Sequence, residues 1–144
     1  MFGFGRRKAG AGIRRILIVE DEPLIAFDNE HFLNDAGFEV VATVDTAAEA
    51  ERLLAAGGID LVTADVKLHE GSGVDVARAA HAGGVPVLFV TGNCPAEAAG
   101  FAVGCLAKPY SQRVLLDAIR VVAAVASGEK PPRRLPSGMT LFAR

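Results

Sequence analysis

Residues 14–23 read RRILIVEDEP. The apolar run Ile16 to Val19 has the length of a buried strand, it stops at two acids, Glu20 and Asp21, and Pro23 then stands at a first-turn position where proline starts a helix well. A strand with a polar end that feeds a helix is half of a βα unit. Moving outward, three more apolar runs end the same way: DLVTA at Asp65, VPVLFV at Thr91, and VGCLA at Lys108-Pro109. Helical segments lie between them. The first places Ile25, Phe32, Leu33 and Ala36 on one face and stops at Gly37. EVVATV is a second strand. Thr46, with Glu49 three residues on, caps a helix that ends at Gly57-Gly58. Residues 74–82 form a short helix, residues 95–100 have room for one or two helical turns, and Ser111 opens a last helix running to about Ser127.

Five strands separated by helices predict an α/β, flavodoxin-like three-layer sandwich with a parallel sheet in the order 2-1-3-4-5. The strand ends of such a sheet share one edge, so Glu20, Asp21, Asp65, Thr91 and Lys108 converge although they are far apart in sequence. At about 4 Å and an effective dielectric near 20, two carboxylates repel by roughly 4 kcal/mol. A divalent cation relieves that repulsion, and magnesium suits an oxygen site that keeps waters and takes a substrate phosphate.

The chain has 144 residues, enough for one domain, and 51% of them are hydrophobic, as expected where central strands are covered on both faces. No stretch has the length of a bilayer span and the N-terminus lacks a signal-peptide pattern, which predicts a cytoplasmic protein without membrane contact. A net charge of −2 gives no electrostatic case for direct DNA binding. Cys94 and Cys105 lack metal-ligand spacing and read as small apolar residues in a reducing compartment. Residues 1–12 (Gly-rich, basic) and 128–144 (Pro-rich) read as tails, with no output domain after residue 127.

Taken singly, each polar strand end has an ordinary reading, as a turn aspartate, a helix N-terminal acid or a solvated lysine. Together and in this order, ILIVEDEP, DLVTADVKL, VPVLFVTGN and LAKPY resemble the receiver domain of two-component response regulators, over residues 13–127. LFVTGN with LAKPY is similar to a subgroup with a Phe-Ala-Thr-Gly motif, Val90 replacing the alanine. The resemblance implies that Asp65 is the phosphoacceptor and that Thr91 and Lys108 are the switch hydroxyl and the lysine of the site. It also implies magnesium held by Asp21, Asp65 and the backbone carbonyl of Lys67, with Glu20 acting through water, and a cis Lys108-Pro109 bond. Its implied partners are a sensor histidine kinase or a histidine phosphotransfer protein, and a downstream protein target. The implied protein is a single-domain regulator or relay, not an enzyme beyond its own phosphorylation and dephosphorylation.

The chain departs from the family where many receivers carry an aromatic residue three before the lysine; here stands Cys105. The short stretch from Thr91 to Lys108 predicts a stunted or mobile fourth helix, with Gly92, Gly100 and Gly104 loosening the backbone. Lys67 and Asn93 flank the expected path of attacking water. On the last helix Leu115, Ala118, Ile119, Val122 and Ala126 form a core stripe, while Val114, Leu116, Val121 and Val125 need another cover: a partner, a second copy giving a homodimer, or residues 135–142 folding back. Two competing readings are a haloacid-dehalogenase-like phosphatase, which expects an acid where Lys67 stands, and a receiver module that is never phosphorylated.

Overall fold

Alternation along β1 (Arg15–Val19) divides the interior into two cores. Ile16 and Ile18 point to one side of the sheet, Leu17 and Val19 to the other, and all four are fully buried. The computed structural model describes residues 12–96 and 100–142. In it β1, β2 (Glu39–Val44), β3 (Leu61–Ala64), β4 (Val87–Thr91) and β5 (Gly104–Ala107) are parallel, in the order 2-1-3-4-5. α1 (Pro23–Asp35) and α4 (Gln112–Ala126) supply Leu33, Leu115, Ile119 and Val122 to one core; α2 (Ala47–Ala56) and α3 (Gly73–Ala82) supply Ala50, Val76, Ala77 and Ala80 to the other. This is the flavodoxin-like sandwich expected from the sequence.

Local chemistry sets the element ends. Pro23 starts α1, Thr46 Oγ1 accepts the Glu49 N–H at 3.2 Å, Ser72 Oγ accepts that of Val74 at 3.0 Å, and Ser111 Oγ accepts that of Val114 at 3.1 Å. Two side chains turn out differently. Ala36 and Ala126, expected in core stripes, are exposed; α1 buries Leu33 as expected, and Ala26 and Asn29 besides.

The sheet has one strand more than expected. β6 (Met139–Leu141) pairs antiparallel with β5, so the C-terminal segment read as an unpacked tail supplies an edge strand. Gly104 permits this: a Cβ there would lie 2.6 Å from the Thr140 carbonyl oxygen. Its glycine serves close approach rather than looseness. Met139, Leu135 and Leu141 join the core that also holds Val114, Val121 and Val125, so the C-terminal segment folds back onto the same core as these α4 residues, while Leu116 belongs to neither core. The expected N-terminal tail, save Gly12, and residues 97–99 of the expected short helical segment lie outside the described residues. Among the described residues no helix is long and apolar enough to cross a membrane.

Candidate functional site

Backbone pairing continues past the strand ends and carries the polar residues into place. Glu20 N–H donates to the Val44 carbonyl at 2.9 Å, Asp65 N–H to that of Val19 at 2.9 Å, and Lys108 N–H to that of Thr91 at 2.9 Å. Glu20, Asp65 and Thr91 are each buried. Gly73 fixes the turn after β3, since a Cβ there would run into the Asp65 carbonyl and Val66 Cα; the first residue of α3 therefore sits against the backbone that presents Asp65. All five strand-end residues border or lie within one site. A cleft of ≈ 620 Å³ is lined by Asp21, Glu22, Asp65, Lys67, His69, Thr91, Asn93, Cys94 and Lys108 among others.

Lys108 is the hub. Its Nζ donates to Asp65 Oδ2 at 2.7 Å, to Glu22 Oε1 at 2.6 Å and to Glu20 Oε2 at 3.3 Å. Burial alone pushes this ammonium down, but its hydrogen bonds to Asp65 and Glu22, with the charges of Glu20 and Asp65, outweigh burial and hold it above the ordinary lysine value. It stays charged. Burial pushes the Glu20 carboxyl up to about 7, and the neighbouring charge of Asp65 adds to this; Lys108 and the Glu22 N–H oppose it. Asp65 Oδ1 accepts the Lys67 N–H at 3.3 Å, and Thr91 Oγ1 has the Asn93 N–H at 3.5 Å.

The carboxylates suit a cation. Glu20, Asp21 and Asp65 each offer an oxygen, and these atoms lie within 4.8 Å of one another. Glu20 Oε1 is buried and, among the described residues, without a hydrogen-bond partner; it approaches Lys108 Nζ at 3.2 Å, outside the geometry of a hydrogen bond. One ammonium leaves several acids only partly neutralised, and an orphaned buried oxygen among them is what a hard divalent cation satisfies. The residues present fit magnesium.

The sequence reading missed three features. Glu22, next to the expected acids, holds Lys108 from the solvent side; its place before Pro23 pointed only to a helix start. Asn29, buried on α1, donates Nδ2–H to Tyr110 Oη at 2.9 Å and ties α1 to the segment after Lys108. Burial pushes the Tyr110 phenol up, and its hydrogen bond with Asn29 opposes this. The third is a correction: Cys94 and Cys105, expected as independent thiols, form a disulfide with Cα atoms 6.0 Å apart. The segment leaving β4 lies beside β5, where Phe89 pairs with Cys105, so residues 11 apart in sequence become neighbours. The Lys108-Pro109 peptide is cis. His69 Nδ1 lies 3.6 Å from Asp21 Oδ2 at the rim.

A family model described as the response regulator receiver domain matches residues 16–120, which include every polar residue of this cluster. The chain belongs to that family. Among curated relatives, this receiver is 33% identical over 118 residues to the transcriptional regulatory protein PdtaR of Mycobacterium tuberculosis, covering 77% of the present chain and 57% of the relative. It is 37% identical over 90 residues to the phyllosphere-induced regulator PhyR of Methylorubrum extorquens, covering 60% and 34%. The receiver thus spans little more than half of the one relative and a third of the other. Among solved structures it resembles a response regulator receiver protein from Sinorhizobium medicae, with 30% identity, TM-score 0.70 and coverage of 79% and 97%. A CheY-like receiver domain protein from Methanospirillum hungatei gives 28%, 0.72, and 82% and 99%. These matches assign the family; they do not assign the Phe-Ala-Thr-Gly subgroup.

Proposed function

We propose that this receiver accepts a phosphoryl group on Asp65 from a phosphohistidine of a sensor kinase or phosphotransfer protein, and signals by a changed affinity for a protein target. One observation carries the reading: the Asp65 carboxylate is held 2.7 Å from a charged lysine, beside a buried carboxylate oxygen that lacks a hydrogen-bond partner among the described residues. A carboxylate oxygen of Asp65 attacks phosphorus, the P–N bond of the donor breaks, and its electron pair stays on the imidazole nitrogen, which takes up a proton when the ring needs one. Lys108, already on Asp65, neutralises charge on the phosphoryl oxygens, and Thr91, whose hydroxyl oxygen has among the described residues only the long Asn93 contact, hydrogen-bonds one of them. Asp21, Asp65 and the Lys67 carbonyl would hold magnesium, with Glu20 acting through water; bound there, it supplies positive charge for the transferring group. Lys67 and Asn93 bound the approach of hydrolytic water. Residues 13–127 form the receiver and β6 closes its edge, in a protein we place in the cytoplasm.

The test is incubation with acetyl phosphate and magnesium. Acid-stable, base-labile label is expected in the natural chain and absent in Asp65→Asn; equal label in both would overturn the assignment.

A further inference from the structure

The disulfide stands where it can act on the site. Cys94 is three residues after Thr91 and Cys105 three before Lys108, so the bond ties the segment leaving the hydroxyl to the strand that delivers the ammonium. The Thr91 carbonyl already accepts the Lys108 N–H, and the bond adds a second link between these two segments beyond it. The two residues differ in exposure. Cys105 is fully buried in the core of α2 and α3, whereas Cys94 is exposed and lines the cleft shared by Asp65 and Lys108. Neighbouring groups pin this side only lightly. Gly92, Asn93 and Cys94 are exposed, and among the described residues the Asn93 N–H has only its 3.5 Å contact to Thr91 Oγ1 as a side-chain tether.

From this placement we propose that Cys94 and Cys105 are a thiol–disulfide modification site that sets how well the cleft receives a phosphoryl group; the proposal rests on the phosphoacceptor reading above. The co-reactant is a thiol of low molecular weight or a protein dithiol. Its thiolate attacks the sulfur of Cys94, the more exposed residue of the pair, the Cys94–Cys105 bond breaks, and Cys105 leaves as thiolate and takes a proton. A second thiolate then resolves the mixed disulfide on Cys94. In all, two electrons enter the protein, two Cys thiols form, and the reductant leaves as its own disulfide. Reduced Cys105 remains a small apolar residue in the core, so the sheet persists. The stretch 92–94 loses its tether and must be ordered anew when a phosphoryl group occupies the cleft, which weakens that occupancy.

The probe is beryllofluoride with magnesium, measured on the full chain in its disulfide and dithiol states. The disulfide state is expected to bind it about five- to tenfold more tightly, a coupling within the usual range between sites. Linkage demands the reciprocal: saturating beryllofluoride and magnesium shift the equilibrium with a glutathione buffer toward the disulfide by the same factor. Cys94→Ser, which leaves the core untouched, is expected to bind like the dithiol chain in either buffer. Affinities equal within twofold, or tighter in the dithiol state, would overturn the proposal. Should neither state bind beryllofluoride, the phosphoacceptor reading fails, and amide exchange at residues 92–96 decides the tether by itself: faster exchange on reduction supports it, unchanged exchange refutes it.

Discussion

The two flanks of the sheet's polar edge are built in opposite ways. On the β1–β3 side, Glu20 and Asp65 project from strands buried on both faces, and Gly73 brings α3 against the backbone that presents Asp65. On the β4–β5 side, Gly92, Asn93 and Cys94 are exposed, a disulfide ties this segment to β5, and the outer edge of β5 pairs with a three-residue antiparallel strand. Acids that repel one another need a rigid mount, because their separation decides both the repulsion and the fit to a cation. The hydroxyl side is held by contacts that can be made and broken. The acids are thus mounted on strands covered on both faces, whereas the segment after Thr91 depends on a covalent tether and an edge pairing.

Lys108 joins the flanks, so removing it should have the largest effect. Lys108→Ala leaves Glu20 and Asp65 buried without a counter-charge, and the metal-free protein is expected to lose about 3 kcal/mol or more of stability, measured by denaturant unfolding. Magnesium should restore part of that loss. A loss below ~1 kcal/mol would mean that the acids are not coupled through the lysine.

A pair of glycine substitutions compares the flanks directly. Each adds a Cβ to crowded backbone: Gly73→Ala against Asp65 and Val66, Gly104→Ala against Thr140. Both should cost about 1–3 kcal/mol. Gly73→Ala should also reduce acetyl phosphate labelling, whereas Gly104→Ala should speed amide exchange over residues 139–142 and leave labelling as it was. Equal loss of label in both variants would erase the distinction between mount and edge.

The smallest effect is a pH dependence. The folded-state pKa of Glu20, about 7, lies above its ordinary value of 4.5, so the folded metal-free chain holds a proton that the unfolded chain has lost. The stability contributed by that proton is fully present below about pH 4.5 and disappears as pH rises through about 7. A cation replaces the proton, so the gain in Tm on adding magnesium should be larger at about pH 8 than at about pH 5.5. A gain independent of pH would indicate that Glu20 does not face the metal.

Much of the central flank was legible in the sequence because each signal there is local. ILIVED contains both the apolar run that makes a strand and the acids that end it, and Pro23, Thr46 and Ser111 mark helix starts through their own backbone chemistry. The edge was less legible because its determinants are tertiary. Met139-Thr140-Leu141 is an ordinary strand only once β5 lies beside it, and Gly104 reads as a loosening residue until Thr140 is seen pressed against it. Spacing could not pair Cys94 with Cys105, since it is the side-by-side course of the segment after β4 and β5 that brings them together. Within the site, Glu22 escaped notice because it stands one residue past the acids that end β1, directly before Pro23, where a helix start accounts for it, and its bond to Lys108 exists only in the folded chain.

Of the three clustered acids, Asp65 is the one proposed to take the phosphoryl group. Hydride reduction of the labelled protein converts an aspartyl phosphate into homoserine, and peptide mass mapping then locates it. Homoserine is expected at residue 65 alone, and only when magnesium was present during labelling. Modification at Asp21 or Glu20 instead, or at residue 65 without any divalent cation, would contradict it.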